Sequence, residues 1–268
     1  MLNKGGAMKV ISFLSAKGGT GKTTFNMLLA SYLRYAKGKR VIAIDFDAPE
    51  NNLSATRERE VDALQEKRPE ADLHELYTVR TIQATSTQGI LDAIKAVKEL
   101  KDYDYVIIDT PGSISDGEAT IHILVSGILD LAVIPTDIDG MSIASSYSLG
   151  NICQDLKIPF FIFYNRVVPQ EKKDLYEAFT GMFNDGGMKV SANRIKNTVK
   201  LRRDSDSAAS HLRSSIHFPE KEIKACAPEI LSLLEEVLDS CGTQDQRHHP
   251  ICDAPAHRAP PAADQDIG

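Results

Sequence analysis

The sequence predicts an α/β fold: a mostly parallel β-sheet with helices on both faces. Three observations carry this. Short, continuously apolar runs rich in β-branched and aromatic residues recur along the chain, as in strands buried on both faces. Amphipathic stretches at helical spacing lie between those runs, and alternation of strand and helix builds βαβ units. A glycine-rich turn joins the first run to the first helical stretch.

Taken in order, Val10–Leu14 is the first strand and Thr23–Ala36 the first helix. Val41–Ile44 and Leu53–Lys67 repeat the pair, and Leu76–Ile82 is a further strand. In Gln88–Leu100, Ile90, Leu91, Ile94, Val97 and Leu100 share one helical face. Strand Tyr105–Ile108, helix Gly117–Gly127, strand Leu131–Ile134, helix Met141–Leu156 and strand Phe160–Tyr164 continue the alternation. Beyond Asn165 the pattern loosens. Glu171–Phe183 reads as helix, 189–213 as a polar basic stretch, and Ala227–Leu238 as a closing helix. Residues 1–241 are expected to form a single domain. The segment 242–268 has four prolines and only Ile251 and Ile267 as large aliphatics, so it is expected to be a disordered tail.

The 268 residues carry 31 Lys+Arg and 37 Asp+Glu, a net charge of −6. The charge is blocked along the chain. Met1–Ile44 holds eight basic residues and no acidic one; Asp45–Asp139 holds twenty acidic and eight basic. Residues 189–213 hold seven basic against Asp204 and Asp206. A total cannot report such blocks, so an acidic sum does not exclude a nucleic-acid partner. The best apolar stretch, Ile121–Leu129, contains His122, Ser126 and Gly127 and is too short to span a bilayer. Lys4 and Lys9 before Val10–Ala16 imitate a signal peptide, but the run is short and enters a glycine-rich loop, so it reads as a buried strand. Cys153, Cys226, Cys241 and Cys252 form no CxxC pair, which fits reduced thiols and a cytoplasmic location.

The strongest motif is Lys17-Gly-Gly-Thr-Gly-Lys-Thr-Thr24. Gly18, Gly19 and Gly21 let the backbone turn tightly and aim N–H groups inward, and the helix that follows adds its positive end, which together make an anion site. Lys22 has the reach for β- and γ-phosphates, and Thr23 offers a hydroxyl to Mg²⁺. The strict pattern needs Gly where Ala16 stands, so this is a variant loop with an added lysine, Lys17. The candidate nucleotide contacts are Lys17, Gly18, Gly19, Thr20, Gly21, Lys22, Thr23 and Thr24.

This loop resembles the deviant Walker A motif of the ParA/MinD ATPases. Asp45-Phe-Asp47 is similar to the family's DxD, and Val106-Ile-Ile-Asp-Thr-Pro-Gly112 to its Walker B and switch segment. Each motif ends a strand, so all three fall along one edge of the sheet, where open α/β folds place ligands. The resemblance implies a P-loop NTPase fold with ATP and Mg²⁺ as cofactors. It makes Asp109 a metal ligand through water, puts Asp45 near the metal shell, and has Asp47 orient the attacking water, with Lys17 and Lys22 also catalytic. Where the family often reads DPQGN, this chain reads Asp47-Ala-Pro-Glu-Asn-Asn52, so either Asn51 or Asn52 assists. Asn165 and Arg166 fall where the family contacts adenine; a strand-ending turn is the other reading of Asn165.

The resemblance further implies an ATP-dependent homodimer in which Lys17 reaches the partner's phosphates. It also implies hydrolysis stimulated by a ParB-like protein, and DNA binding without sequence preference through Lys200, Arg202, Arg203 and Arg213. The basic stretch is otherwise a solvated surface balancing the acidic middle block. The expected function is partition of a plasmid or mobile element, in the cytoplasm at the nucleoid. A MinD-type membrane switch and a metabolic or maturation enzyme are the alternatives on this scaffold. The final Ala-Pro-Pro-Ala-Ala-Asp-Gln-Asp-Ile-Gly has no basic amphipathic face, so no membrane partner is expected.

Overall fold

A computed structural model of the chain describes residues 7–46, 50–83, 86–111, 118–168, 173–198, 201 and 212–242. Strands β1 (Lys9–Phe13), β2 (Val41–Asp45), β3 (Thr78–Thr81), β4 (Tyr105–Asp109), β5 (Leu131–Thr136) and β6 (Phe160–Tyr164) form a sheet in the order β3-β2-β4-β1-β5-β6. Every pairing among these strands is parallel. The strand expected at Leu76–Ile82 is therefore present, as the edge strand β3.

Alternation along each strand feeds two cores. Ile11 and Phe13 of β1 face one core, with Val41, Ala43, Ile107, Val133 and Phe163. Val10, followed beyond β1 by Leu14, faces the other, with Ile42, Ile44, Val106, Ile108, Ile134 and Ile162. A strand that is apolar at every position is thus explained by helices on both sides. Helices α1 (Lys22–Ser31), α7 (Glu220–Cys226) and α8 (Pro228–Gly242) cover the first face. Helices α3 (Thr87–Lys98), α4 (Glu118–Val125), α5 (Gly140–Asp155) and α6 (Lys173–Asp185) cover the second. Helix α2 (Asn52–Lys67) buries Leu53 in the first core and keeps most of its length polar.

Three phenylalanines seat α1 on the sheet. The Phe13 and Phe25 rings stack with centroids 5.4 Å apart, and Phe163 meets them edge-on at 6.0 and 5.0 Å. Such pairs add to simple area burial. They lie directly beneath the glycine-rich loop, between β1, α1 and β6.

The structure departs from the sequence expectations in a few places. The helix expected through Ala36 ends its α-helical part at Ser31 and continues as a wider π-helical turn, Tyr32–Ala36, with Lys37 N–H bonded to the Tyr32 carbonyl at 3.1 Å. That turn brings Tyr32 to Glu235 of α8 and the Tyr35 hydroxyl to the Ser215 carbonyl. Val190 and Lys196 form isolated parallel bridges to Ile162 and Val167, so part of the basic stretch extends the sheet past β6. Helix α7 is seven residues with Ile223 buried, too short to show a periodic signal. The expected tail lies outside the described residues, apart from Gly242, which closes α8.

Asn26 ties α1 to the sheet twice. Its carbonyl oxygen accepts from Phe13 N–H at 2.9 Å, and its amide donates to Asp109 Oδ1 at 2.7 Å, all of it buried. Asn26→Leu keeps the branching at Cγ and strands the Phe13 N–H. It should cost about 1–3 kcal/mol, read as a lower denaturant midpoint at unchanged slope; an unchanged midpoint would remove this bridge from the account.

Candidate functional site

The loop leaves β1 after Leu14, whose N–H bonds to the Val133 carbonyl at 2.9 Å. Gly19 has φ +73° and Gly21 φ +101°, both in the left-handed region where glycine is unstrained. Gly21 is the N-cap of α1, and no side chain caps that helix. Helix α1 also has no acidic residue in its first turn, so its N-terminal N–H groups and its dipole favour an anion. Lys22 opens the helix and is 5% exposed.

A brace from β6 fixes this geometry. Asn165, 7% exposed, donates its side-chain amide to the Thr20 carbonyl at 2.7 Å, and its own N–H bonds to the Thr136 carbonyl at 2.8 Å. A Cβ on Gly21 would stand 2.9 Å from that Asn165 nitrogen. Next to it, Arg166 adopts φ +53° and makes a two-pronged pair with Asp137, Nε to Oδ1 at 2.9 Å. Asn165 and Arg166, expected to contact adenine, both lie beside the loop.

Two clefts meet at the loop. One, of about 540 Å³, is bounded by Lys22, Thr23 and Thr24 on one side and by Glu50, Thr56, Arg59 and Arg213 on the other. The second, of about 350 Å³, runs from Thr24 and Phe25 to Asn165, Arg166 and the 196–198 segment. The first suits a polyphosphate; the second, with more apolar wall, suits a base and sugar.

Asp45 and Asp109 are both fully buried and sit opposite each other in the β2–β4 register. Asp109 Oδ1 accepts from Asn26, and Asp45 Oδ2 accepts from Ser54 N–H at 2.9 Å, which fastens the first turn of α2 to the sheet. A structural anchor is thus a job of Asp45 that its motif did not announce. Among the described residues no group of three His, Cys, Asp or Glu side chains is arranged to hold a metal. That donor set still fits Mg²⁺, which takes one or two protein oxygens and fills its octahedron with water and substrate phosphates. Thr23 and Asp109 are the residues that would hold it, and the ion would supply charge neutralisation on the phosphates. Asp47 lies outside the described residues.

Lys17 stands at the outer rim. Its Nζ lies 3.2 Å from Asp139 Oδ2 and 3.0 Å from Ser142 Oγ, with the Lys17 and Asp139 side chains 39% and 47% exposed. An exposed pair of this kind is worth at most about 1 kcal/mol, so another anion can replace it. Asp139 is the N-cap of α5 and accepts from Ser142 N–H at 3.0 Å and Oγ at 2.6 Å. Those two bonds first, and Lys17 after them, hold its carboxyl at about 2. Sequence reasoning missed Asp139, although an Asp three residues after a strand and three before a Ser is a helix-start signal.

The basic stretch divides in space. Lys189 pairs with Glu236 at 2.7 Å and Lys196 with Glu229 at 3.8 Å, both on α8. Arg194 lies over the Tyr176 ring, 4.8 Å from its centroid. Arg213, expected with the DNA contacts, borders both clefts at the loop. Lys200, Arg202 and Arg203 lie outside the described residues. No described helix is long and apolar enough to cross a membrane.

A strand–loop–helix anion site at the carboxyl edge of a parallel sheet, with buried aspartates on neighbouring strands, defines a P-loop nucleotide-binding protein. Residues 11–210 match the CobQ/CobB/MinD/ParA nucleotide-binding domain, and the chain belongs to that family. It is 37% identical over 124 residues to an uncharacterised ATP-binding protein of Methanocaldococcus jannaschii, covering 41% of this chain and 47% of that one. It is 33% identical over 163 residues to protein virC1 of Rhizobium rhizogenes, covering 60% and 65%. The matches thus span about half to two thirds of those relatives. Among solved structures, a Borrelia burgdorferi protein assigned to plasmid partition, bound to AMPPNP, superposes with a TM-score of 0.60 at 17% identity, over 86% of this chain and 100% of that one. At that identity the likeness concerns the fold.

Two predictions follow from the loop and its rim. Gly21→Ala forces a side chain into a left-handed backbone, at a cost of order 1–3 kcal/mol, and against Asn165. Calorimetric titration with ADP should show binding at least about tenfold weaker; wild-type affinity would show that the loop does not need this conformation. Asp139 has a depressed carboxyl, so its stabilising contribution is full above the ordinary 3.8 and is lost as pH falls toward about 2. In an NMR titration Ser142→Ala should raise its midpoint more than Lys17→Ala does, and the reverse order would reassign the cause.

Proposed function

We propose that the chain is a ParA-type ATPase. It binds Mg·ATP, pairs with a second copy across the nucleotides, binds DNA without sequence preference, and hydrolyses ATP when a ParB-like partner stimulates it. Its cargo is a plasmid or other mobile DNA. The observation that carries this reading is the contrast between the loop's lysines: Lys22 is buried at the start of α1, while Lys17 sits exposed on the rim in a weak, exchangeable pair. A lysine so placed is available to anions outside its own cleft. The 33% identity to virC1 supports membership of this family, and the plasmid-partition structure supports the fold.

Hydrolysis needs an aligned water and neutralised phosphate charge more than covalent help. In this reading Lys22 and the α1 N-terminus bind the phosphates, and Thr23 and Asp109 hold Mg²⁺. Asp47 orients the water, and Lys17 of each copy leaves Asp139 for the partner's nucleotide. Asn165 and Arg166 border the base. Lys200, Arg202 and Arg203 contact DNA phosphates. Lys189, Arg194 and Lys196 are engaged within the molecule, so they add less to a DNA surface than their number implies.

With ATP, light scattering should report a dimer for wild type and a monomer that still binds nucleotide for Lys17→Ala. DNA binding, measured with ATP, ADP and no nucleotide across a salt series, should require ATP and weaken steeply with salt. It should drop when Arg202 and Arg203 are both changed to Ala. DNA binding indifferent to nucleotide, or an ATP-bound Lys17→Ala dimer of wild-type stability, would overturn the reading.

A further inference from the structure

Arg213, expected among the DNA contacts, borders both clefts at the glycine-rich loop. Among the described residues, Gly19, Gly21, Thr24 and Arg213 border both the phosphate-side and the base-side cleft, and Arg213 alone of these comes from outside the loop. It lies just beyond the segment that matches the family domain. A bound nucleotide is linear: its base and sugar occupy one cleft, its terminal phosphate the other, and its α- and β-phosphates the junction. Lys22 and Thr23 mark the terminal-phosphate side, since they border only the first cleft; Asn165 and Arg166 border only the second.

The chain on the far side of Arg213 is clamped. The Ser214 carbonyl accepts from Ser31 Oγ at 2.5 Å. The Ser215 carbonyl accepts from Tyr35 OH at 2.8 Å and from Arg57 Nη2 at 2.7 Å. The Ser215 N–H and Oγ both donate to Glu60 Oε2, at 2.7 and 2.5 Å. Ser214, Ser215 and Glu60 are all buried. Arg57 is itself held by the Tyr77 carbonyl at 2.7 Å and lies over the Tyr77 ring. Four side chains from α1, the π-helical turn and α2 thus fix the backbone that carries one half-buried arginine into the junction, and the segment before β3 holds one of the four, Arg57. Contacts to DNA phosphates without sequence preference depend less on such fixing, because a flexible side chain on an outer surface reaches many phosphates in turn. A guanidinium with its backbone pinned is preorganised for two-pronged contact with a diphosphate.

We propose that Arg213 is a nucleotide-binding residue that clamps the α- and β-phosphates from the side opposite the loop, with Glu60 and Arg57 as its positioning residues. The inference rests on nucleotide binding by this domain and not on DNA binding or partition. Because ADP and ATP share those phosphates, the clamp acts on both alike.

The experiment measures dissociation constants of fluorescent ADP and ATP for the full chain, wild type and Arg213→Ala, with Arg213→Lys as the charge-preserving variant. Loss of charge-assisted contacts should weaken both nucleotides by about 10- to 100-fold and by the same factor, and the lysine should restore only part, lacking the planar fork. Glu60→Gln should weaken binding less, with the Arg213→Ala loss no longer additive to it. Unchanged ADP affinity in Arg213→Ala overturns the clamp. So does a loss confined to ATP, which would put the arginine on the γ-phosphate, and so does a loss of DNA binding with nucleotide affinity intact. If the alanine variant does not fold, full ADP affinity in Arg213→Lys overturns the fork. A wild-type chain that binds neither nucleotide overturns nucleotide binding itself, a result distinct from all of these.

Discussion

The start of α1 is the constraint on which the site depends. A helix begins with N–H groups that have no intrahelical acceptor, and here the cap is a glycine with no side chain to offer one. Those groups must point at something, and the fold is arranged so that they point at a cleft. Gly21 reaches φ +101°, Asn165 holds the preceding carbonyl from a different strand, and three stacked or edge-on phenylalanines fix the helix beneath. Each element is costly elsewhere in a protein: a left-handed residue, a buried amide, an uncapped helix end. Together they place N–H groups that lack an intrahelical acceptor where an anion can accept from them.

The sheet order brings the chemistry to that point. β1 lies between β4 and β5, so the loop after β1 has the Asp109 end of β4 on one flank and the Thr136 end of β5 on the other. β2 adds Asp45 next to Asp109, and β6 adds Asn165 beyond β5. Parallel strands carry all their carboxyl ends to one edge, which is why motifs far apart in sequence converge without any direct link. The same anchors join the site to the rest of the domain. Asp45 fastens Ser54 at the start of α2, and α2 presents Arg57 and Glu60, in its next two turns, to Ser215. One helix therefore runs from the buried aspartates to the segment holding Arg213.

The strands and the loop were legible because their signals are local: apolar runs, glycine spacing, and a lysine at each end of a short motif. The pairings that complete the site were not, because they are long-range. Lys17 meets a residue 122 positions away, and Ser215 one 155 positions away. Glu60 and Arg57 sit in a polar helix whose sequence reads as a solvated surface, and what distinguishes the pair is their contacts with Ser215. The described part of the basic stretch divides for a related reason. Its clustering is a property of sequence, while in space Lys189 and Lys196 face acids on α8 and Arg213 turns to the nucleotide cleft.

Charge placement then separates residues that composition treats alike. Lys17 and Lys22 belong to one motif and carry one charge each, yet burial assigns them opposite behaviour. Lys22 is enclosed at the helix start, where moving away would expose a prepared anion site without its cation. Lys17 is held by an exposed pair that water and salt weaken. Asp139 is bound more firmly to Ser142 than to Lys17, so it stays in place as the cap of α5 whether or not the lysine is there. The rim therefore loses little when Lys17 leaves, and a highly charged phosphate in its reach gains more than the carboxylate gives up. In the proposed dimer that asymmetry makes nucleotide, and not the protein's own acid, the stronger partner for the mobile lysine.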